Sequence, residues 1–256
     1  MSFLRMEKFI RKKPDDNKTI NIIELNGLPG VGKTTICNSV VQNMRSSNIV
    51  IHTKQDIYEN YLSLSRLRKI IPHIGILLKF RKYLFYWYVL KFASDYGFDK
   101  EILNRIRILL LYNYLINQHL DKNLSDILLL DEGLIQQLTS IPHGRIIKIN
   151  RNTIRLTKYI HRRMNHTMYV NCFLDLEKAR YRIQNRINHK SRFDKVNNER
   201  LLSLLNIKMQ NLKYLRCFLQ PDVSLSINMD SSVEENAMIL INLTNQLKHN
   251  KGQYFS

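Results

Sequence analysis

Eight residues near the N-terminus constrain this chain more than any other stretch: Gly27-Leu28-Pro29-Gly30-Val31-Gly32-Lys33-Thr34 satisfies G-x-x-x-x-G-K-[ST] at every fixed position. The stretch follows a β-branched, apolar run from Thr19 to Asn26. It precedes Ile36, Val40, Val41 and Met44, which recur at helical spacing. A strand, a glycine turn and a helix in that order open a βαβ unit, so the remaining chain is expected to supply parallel strands. Glycines let backbone N–H groups converge on phosphate oxygens without obstruction, and the following helix adds its positive dipole end. The candidate phosphate-binding residues are therefore Gly27, Leu28, Pro29, Gly30, Val31, Gly32, Lys33, Thr34 and Thr35. In such a cradle Lys33 reaches the β- and γ-phosphates of ATP, and the Thr34 hydroxyl holds Mg²⁺.

Beyond the cradle, short apolar runs alternate with longer helical patterns, the signature of a parallel sheet wrapped by helices. Further strands are expected at Asn48 to His52, Asp126 to Asp131, Met168 to Leu174 and Val223 to Asn228. A long helical stretch fills 57–122, with Asp99 as an N-cap before Ile102, Leu103, Ile106, Leu109 and Leu110. Ser232 and Glu235 form a capping box that opens the last helix, which runs towards Leu247. The expected architecture is one three-layer α/β P-loop domain over 19–250, with five parallel strands, behind a basic extension at 1–18.

Two further groups carry chemistry. Ile127-Leu128-Leu129-Leu130-Asp131-Glu132 is an apolar strand ending in two carboxylates. Delivered beside the phosphate loop, Asp131 would bind Mg²⁺ and Glu132 would act as a general base. The alternative is that both acids cap the next helix, Leu134 to Leu138. After the fourth strand, Arg182 and Arg186 stand four apart on one helical face, with Arg192 following in a polar segment. Converging guanidinium groups suit a transferring phosphoryl group, whose charge spreads over its oxygens.

The balance of 40 Lys plus Arg against 21 Asp plus Glu gives a net charge of +19, which favours anionic partners without choosing among them. Cys37, Cys172 and Cys217 are too sparse and scattered for a disulfide framework or a zinc site. The basic start lacks the apolar stretch of a signal peptide, and four cations interrupt the most lipid-like segment, 74–93. A soluble, cytoplasmic protein is expected.

The cradle, the segment Ala179-x-x-Arg182-Ile183-x-x-Arg186, Arg192-Phe193-Asp194 and the closing Ser226-Ile227-Asn228-Met229-Asp230 together resemble the P-loop nucleoside and nucleotide kinases, thymidylate kinase most of all. The resemblance spans nearly all of 19–247. It implies transfer of the γ-phosphoryl from Mg-ATP, an acceptor-side helical region at 57–122, and a LID over 176–196 that carries Arg182 and Arg186. The acceptor half departs from the pattern. Asp131-Glu132-Gly133 stands where such kinases carry Asp-Arg-Tyr, and Thr53-Lys54-Gln55-Asp56 where they carry Arg-Glu-Pro. Asp56 is the second candidate base. The expected partner is a small-molecule phosphoryl acceptor. Lys79, Arg81, Lys82 and the aromatic block from Tyr83 to Tyr88 also allow an anionic membrane surface, a lipid-linked acceptor or nucleic acid. A second copy of the chain is a further candidate partner. The competing functions are a P-loop ATPase or switch, and a nucleic-acid-binding protein or polynucleotide kinase.

Overall fold

The computed structural model describes residues 20–45, 49–62, 80–122, 126–142, 144–163, 167–186, 193, 196–217 and 224–252. Its strands are β1 (Ile22–Gly27), β2 (Ile51–Thr53), β3 (Ile127–Leu130), β4 (Thr167–Phe173) and β5 (Ser224–Asn228). They form one sheet in the order β2-β3-β1-β4-β5, and every pairing is parallel. This is the expected α/β P-loop fold. Parallel neighbours require crossovers that return over a face of the sheet, so both faces are covered and the central strands are buried and mostly apolar. All residues of β1 and of β3 are accordingly buried.

Because successive side chains point to opposite faces, β1 feeds two cores. Ile23 and Leu25 join Ile36, Val40 and Met44 of α1 (Lys33–Met44) and Ala237 and Leu240 of α9 (Val233–Gly252). On the other face Ile22, Leu128, Leu130 and Tyr169 meet α3 (Phe80–Ser94), α4 (Lys100–Lys122), α5 (Leu134–Leu138) and α6 (Arg151–Arg163). Two more helices, α7 (Leu176–Gln184) and α8 (Asn198–Arg216), connect β4 to β5, and α2 (Lys54–Leu62) follows β2.

Across the long helical stretch expected over 57–122, the described residues form α2, α3 and α4. Gly97, at φ 91°, turns the chain between α3 and α4. Asp99 Oδ1 then accepts from the Ile102 N–H at 2.8 Å, the expected N-cap. The capping box at the start of α9 is reciprocal: Ser232 Oγ accepts from Glu235 N at 3.1 Å, and Glu235 Oε2 from Ser232 N at 3.3 Å. The 1–18 extension, Asn48, Lys79, Arg192 and Asp194 lie outside the described residues, as do the side chains of Arg81, Lys82 and Tyr83.

Among the described residues no helix is long and apolar enough to cross a membrane. The strand order reverses direction at β1. The crossover from β1 runs to β2 on one side of the sheet and the crossover from β4 runs to β5 on the other, so a crevice opens beyond the carboxyl ends of β1 and β4.

Candidate phosphate-binding site

Gly27 ends β1 directly below that crevice. The chain turns through Gly30, at φ 84°, and Gly32, at φ 100°, which only glycine adopts without strain. A Cβ on Gly30 would also lie 2.7 Å from Ile183 Cγ1 and 2.8 Å from the Ala179 carbonyl oxygen, so the loop and α7 are in intimate contact. Gly32 is the N-cap of α1, and its carbonyl accepts from Ile36 N at 3.1 Å. The resulting cleft encloses about 590 Å³ and is lined by Pro29 through Ile36, Asp131, Glu132, Arg182 and Arg186. It is also lined by Phe193, Met229, Ser231, Val233 and Asn236. Gly27 and Leu28 do not line it.

The Lys33 side chain is folded back on its own loop. Its Nζ donates to the Gly27 carbonyl at 3.0 Å and the Leu28 carbonyl at 2.9 Å. Burial lowers the Lys33 pKa, and the nearby charge of Glu132 opposes this only in part. Thr34 Oγ1 donates to Asp131 Oδ2 at 2.5 Å. That contact exists because β3 pairs directly with β1, Leu130 lying opposite Glu24, so the residue after β3 emerges beside the start of α1.

Glu132 is held from the α2 side. Lys54 Nζ lies 2.9 Å from Glu132 Oε2, which also accepts from Gln137 Nε2 at 3.3 Å. Burial by itself raises the Glu132 carboxyl, but the charge and hydrogen bond of Lys54, then the charges of Lys33 and Lys208, outweigh it. The carboxyl therefore sits below its usual range. Lys54 is displaced the opposite way: burial pulls it down, Glu132 more than compensates, and the ammonium is held above its usual value. Asp56 does not line the cleft. Its Oδ2 accepts from Thr53 N at 2.6 Å and from Thr53 Oγ1 at 2.9 Å, which ties down the entrance to α2.

Both arginines reach the cleft from the α7 side. Asp175 caps that helix by accepting from Glu177 N at 2.9 Å and Lys178 N at 3.3 Å. Arg182 then spans the cleft mouth: Nη1 donates to the Val31 carbonyl at 3.1 Å, and Nη2 to the Met229 carbonyl at 3.2 Å. Lys178 pairs with Asp230 at 2.5 Å, a second tie between α7 and the loop after β5.

Behind the cleft lie residues that the motifs do not include. Glu24 is fully buried in β1, and its Oε1 accepts from Ile135 N at 3.1 Å and Gln136 N at 3.4 Å. A Cβ on Gly133 would fall 1.9 Å from Glu24 Cδ, so the glycine after Asp131-Glu132 makes room for this carboxylate. Burial raises the Glu24 pKa to about 8 despite those backbone donors. Gln136 Nε2 donates to the Gly27 carbonyl at 2.9 Å, and Gln136 Oε1 accepts from Gly27 N at 3.3 Å. Lys208 of α8 donates to the Gln136 carbonyl at 3.0 Å. The signal for Glu24 was in the sequence: an acid flanked by Ile23 and Leu25 in a strand that must be buried on both faces. Lys54 and Gln136 carry no such signal, because only the tertiary fold brings them to the loop.

No protein-family model matches the chain, and no curated protein matches it. Solved structures do resemble it. One is deoxyadenosine kinase from M. mycoides with the products dCMP and a flexible dCDP bound, at 16% identity and a TM-score of 0.48, covering 88% of this chain and 99% of that one. The same enzyme with bound dATP matches at 14% identity and a TM-score of 0.49, with 88% and 98% coverage. An uncharacterized protein from Eubacterium ventriosum ATCC 27560 matches at 13% identity and a TM-score of 0.41, with 90% and 99% coverage.

Proposed function

We propose that this chain is a Mg-ATP-dependent phosphotransferase that moves the γ-phosphoryl group to a small-molecule acceptor bearing a hydroxyl or phosphate, such as a nucleoside, nucleotide or sugar. One observation carries the reading: Lys33, Thr34, Asp131, Glu132, Arg182 and Arg186 come from three separate segments and line a single cleft over a phosphate loop. In this reading the backbone N–H groups of the loop and the α1 N-terminus cradle the ATP phosphates. Lys33 leaves its two carbonyls for the β- and γ-phosphates. The Thr34 hydroxyl and Asp131 supply hard oxygen ligands, which suits Mg²⁺, an ion that draws the rest of its shell from phosphates and water. Bound there, Mg²⁺ would neutralise charge on the phosphates.

Glu132 is the better placed of the two candidate bases. Lys54 keeps it ionised at neutral pH, whereas Asp56 is engaged by Thr53. With a hydroxyl acceptor, the acceptor oxygen forms its bond to the γ-phosphorus as the bond to ADP breaks, and the proton passes to Glu132. Arg182 and Arg186, as the cationic part of a LID over 176–196, stabilise the equatorial oxygens of the transferring group.

The test is ADP release from Mg-ATP with and without a panel of nucleosides, nucleoside monophosphates and sugars, and with DNA. Acceptor-dependent turnover that Lys33→Ala abolishes is the expected result. Equal turnover without an acceptor, or turnover that needs DNA, overturns it.

A further inference from the structure

The Gly27 carbonyl serves two donors. Lys33 Nζ approaches at 3.0 Å and Gln136 Nε2 at 2.9 Å, while the same Gln136 carboxamide accepts from Gly27 N at 3.3 Å. Gln136 is 2% exposed, and the hydrogen bonds span 109 positions of sequence. It is therefore a built contact between α5 and the root of the phosphate loop, not a surface accident.

Its carrier is equally fixed. Glu24 accepts from the first amides of α5, and Lys208 donates to the Gln136 carbonyl and to Ser140 Oγ at 2.8 Å. Gln136 thus has little freedom to follow the loop if the loop moves.

We infer that Gln136 is a positioning residue for Lys33: it keeps the Gly27 carbonyl satisfied so that Lys33 can leave it for a phosphate. The inference rests on the proposed phosphate site. A buried carbonyl abandoned by its donor carries a large penalty, whereas one with a second donor in place does not. In that move Lys33 leaves both the Gly27 and the Leu28 carbonyl, and with Gln136 present the Gly27 carbonyl keeps a donor. Without it, the same move strands Gly27 O, and Lys33 is held back on the loop. Gln136 touches neither phosphate nor metal in this scheme and acts only through Gly27 and Lys33.

A double-mutant cycle on Mg-ATP binding, measured by titration calorimetry, separates this role from plain packing. Gln136→Leu removes both side-chain hydrogen bonds at similar volume and should weaken Mg-ATP by about tenfold to a hundredfold. In a Lys33→Met background no ammonium must leave Gly27, so the same substitution should weaken binding less than about threefold. Strict additivity of the two losses overturns the inference, because a structural role does not depend on the identity of residue 33. Wild-type protein that binds no Mg-ATP overturns the phosphate-site reading itself, and this inference with it. Should Gln136→Leu fail to fold, Gln136→Glu serves in its place. It keeps an acceptor for Gly27 N but has no donor for Gly27 O until protonated, so its Mg-ATP affinity should improve relative to wild type as pH falls. A flat ratio overturns the inference.

Discussion

Glu24 shows how one side chain can set a pH dependence for the whole protein. Burial holds its carboxyl at about 8 in the folded chain, against an ordinary value of 4.5. Between those values the folded state keeps a proton that the unfolded state has lost. The stabilisation is full below about pH 4.5 and is lost as pH rises through about 8, at up to about 1.4 kcal/mol per pH unit. Glu24→Gln keeps an acceptor for Ile135 and Gln136 and cannot ionise. Denaturant titrations from pH 5 to 9 should show wild type losing ground to this variant as pH rises; parallel curves would mean that Glu24 is already charged. At the cleft itself, Lys33→Ala should reduce kcat by about a hundredfold to a thousandfold. Asp131→Asn should raise the Mg²⁺ concentration needed for half-maximal turnover, whereas Glu132→Gln should mainly lower kcat. A Mg²⁺ titration of all three variants distinguishes these outcomes.

At the scale of elements, α5 and α7 are the pieces that make a loop into a site. Gly133→Ala forces a methyl group into the Glu24 carboxylate, so the Asp131-Glu132 turn must shift. The expected loss is about 1–3 kcal/mol of stability, with reduced turnover. Pairing it with Glu24→Ala should restore part of both, since the clash is then relieved. On the α7 side, Arg182 donates to Val31 and Met229 and so braces the cleft mouth. Arg182→Ala should lower kcat by about a hundredfold or more, with a smaller change in ATP Kd, because its charge matters most when the transferring group carries the most negative charge. Equal losses in both would mark it as a ground-state binder. These two elements also mark the limit of what was legible in the sequence. Arg182 was readable because Asp175, Ala179 and the helical spacing place it on α7 after a strand. Gln136 was not, because nothing in Leu134–Leu138 distinguishes it from Gln137 until β1 lies alongside.

For the whole molecule, the alternation of apolar runs and amphipathic stretches was enough to anticipate five parallel strands, since a helical crossover follows each run but the last. Periodicity marked the acceptor side as a helical stretch with an internal start at Asp99, but it did not fix the ends of α2, α3 and α4. Apolar residues continue across Asp95 to Asp99, and only Gly97 and the Asp99 cap announce the break. The Lys54–Glu132 pair was illegible for a related reason: it joins the ends of β2 and β3, which are neighbours only in the assembled sheet.

The central position of β1 also has a consequence for how the chain reaches its fold. The strand synthesised first must wait for partners more than a hundred residues away, since Ile22 pairs with Leu128 on one side and Thr167 on the other. Contacts of such sequence separation form late and slowly, because a long loop must close before they are rewarded. Gly27 acquires its Gln136 partner only after β3 has docked. A nascent chain that has displayed its complete phosphate motif therefore still lacks the cradle. Nucleotide binding during refolding should lag the gain of helical signal and coincide with the slowest structural phase.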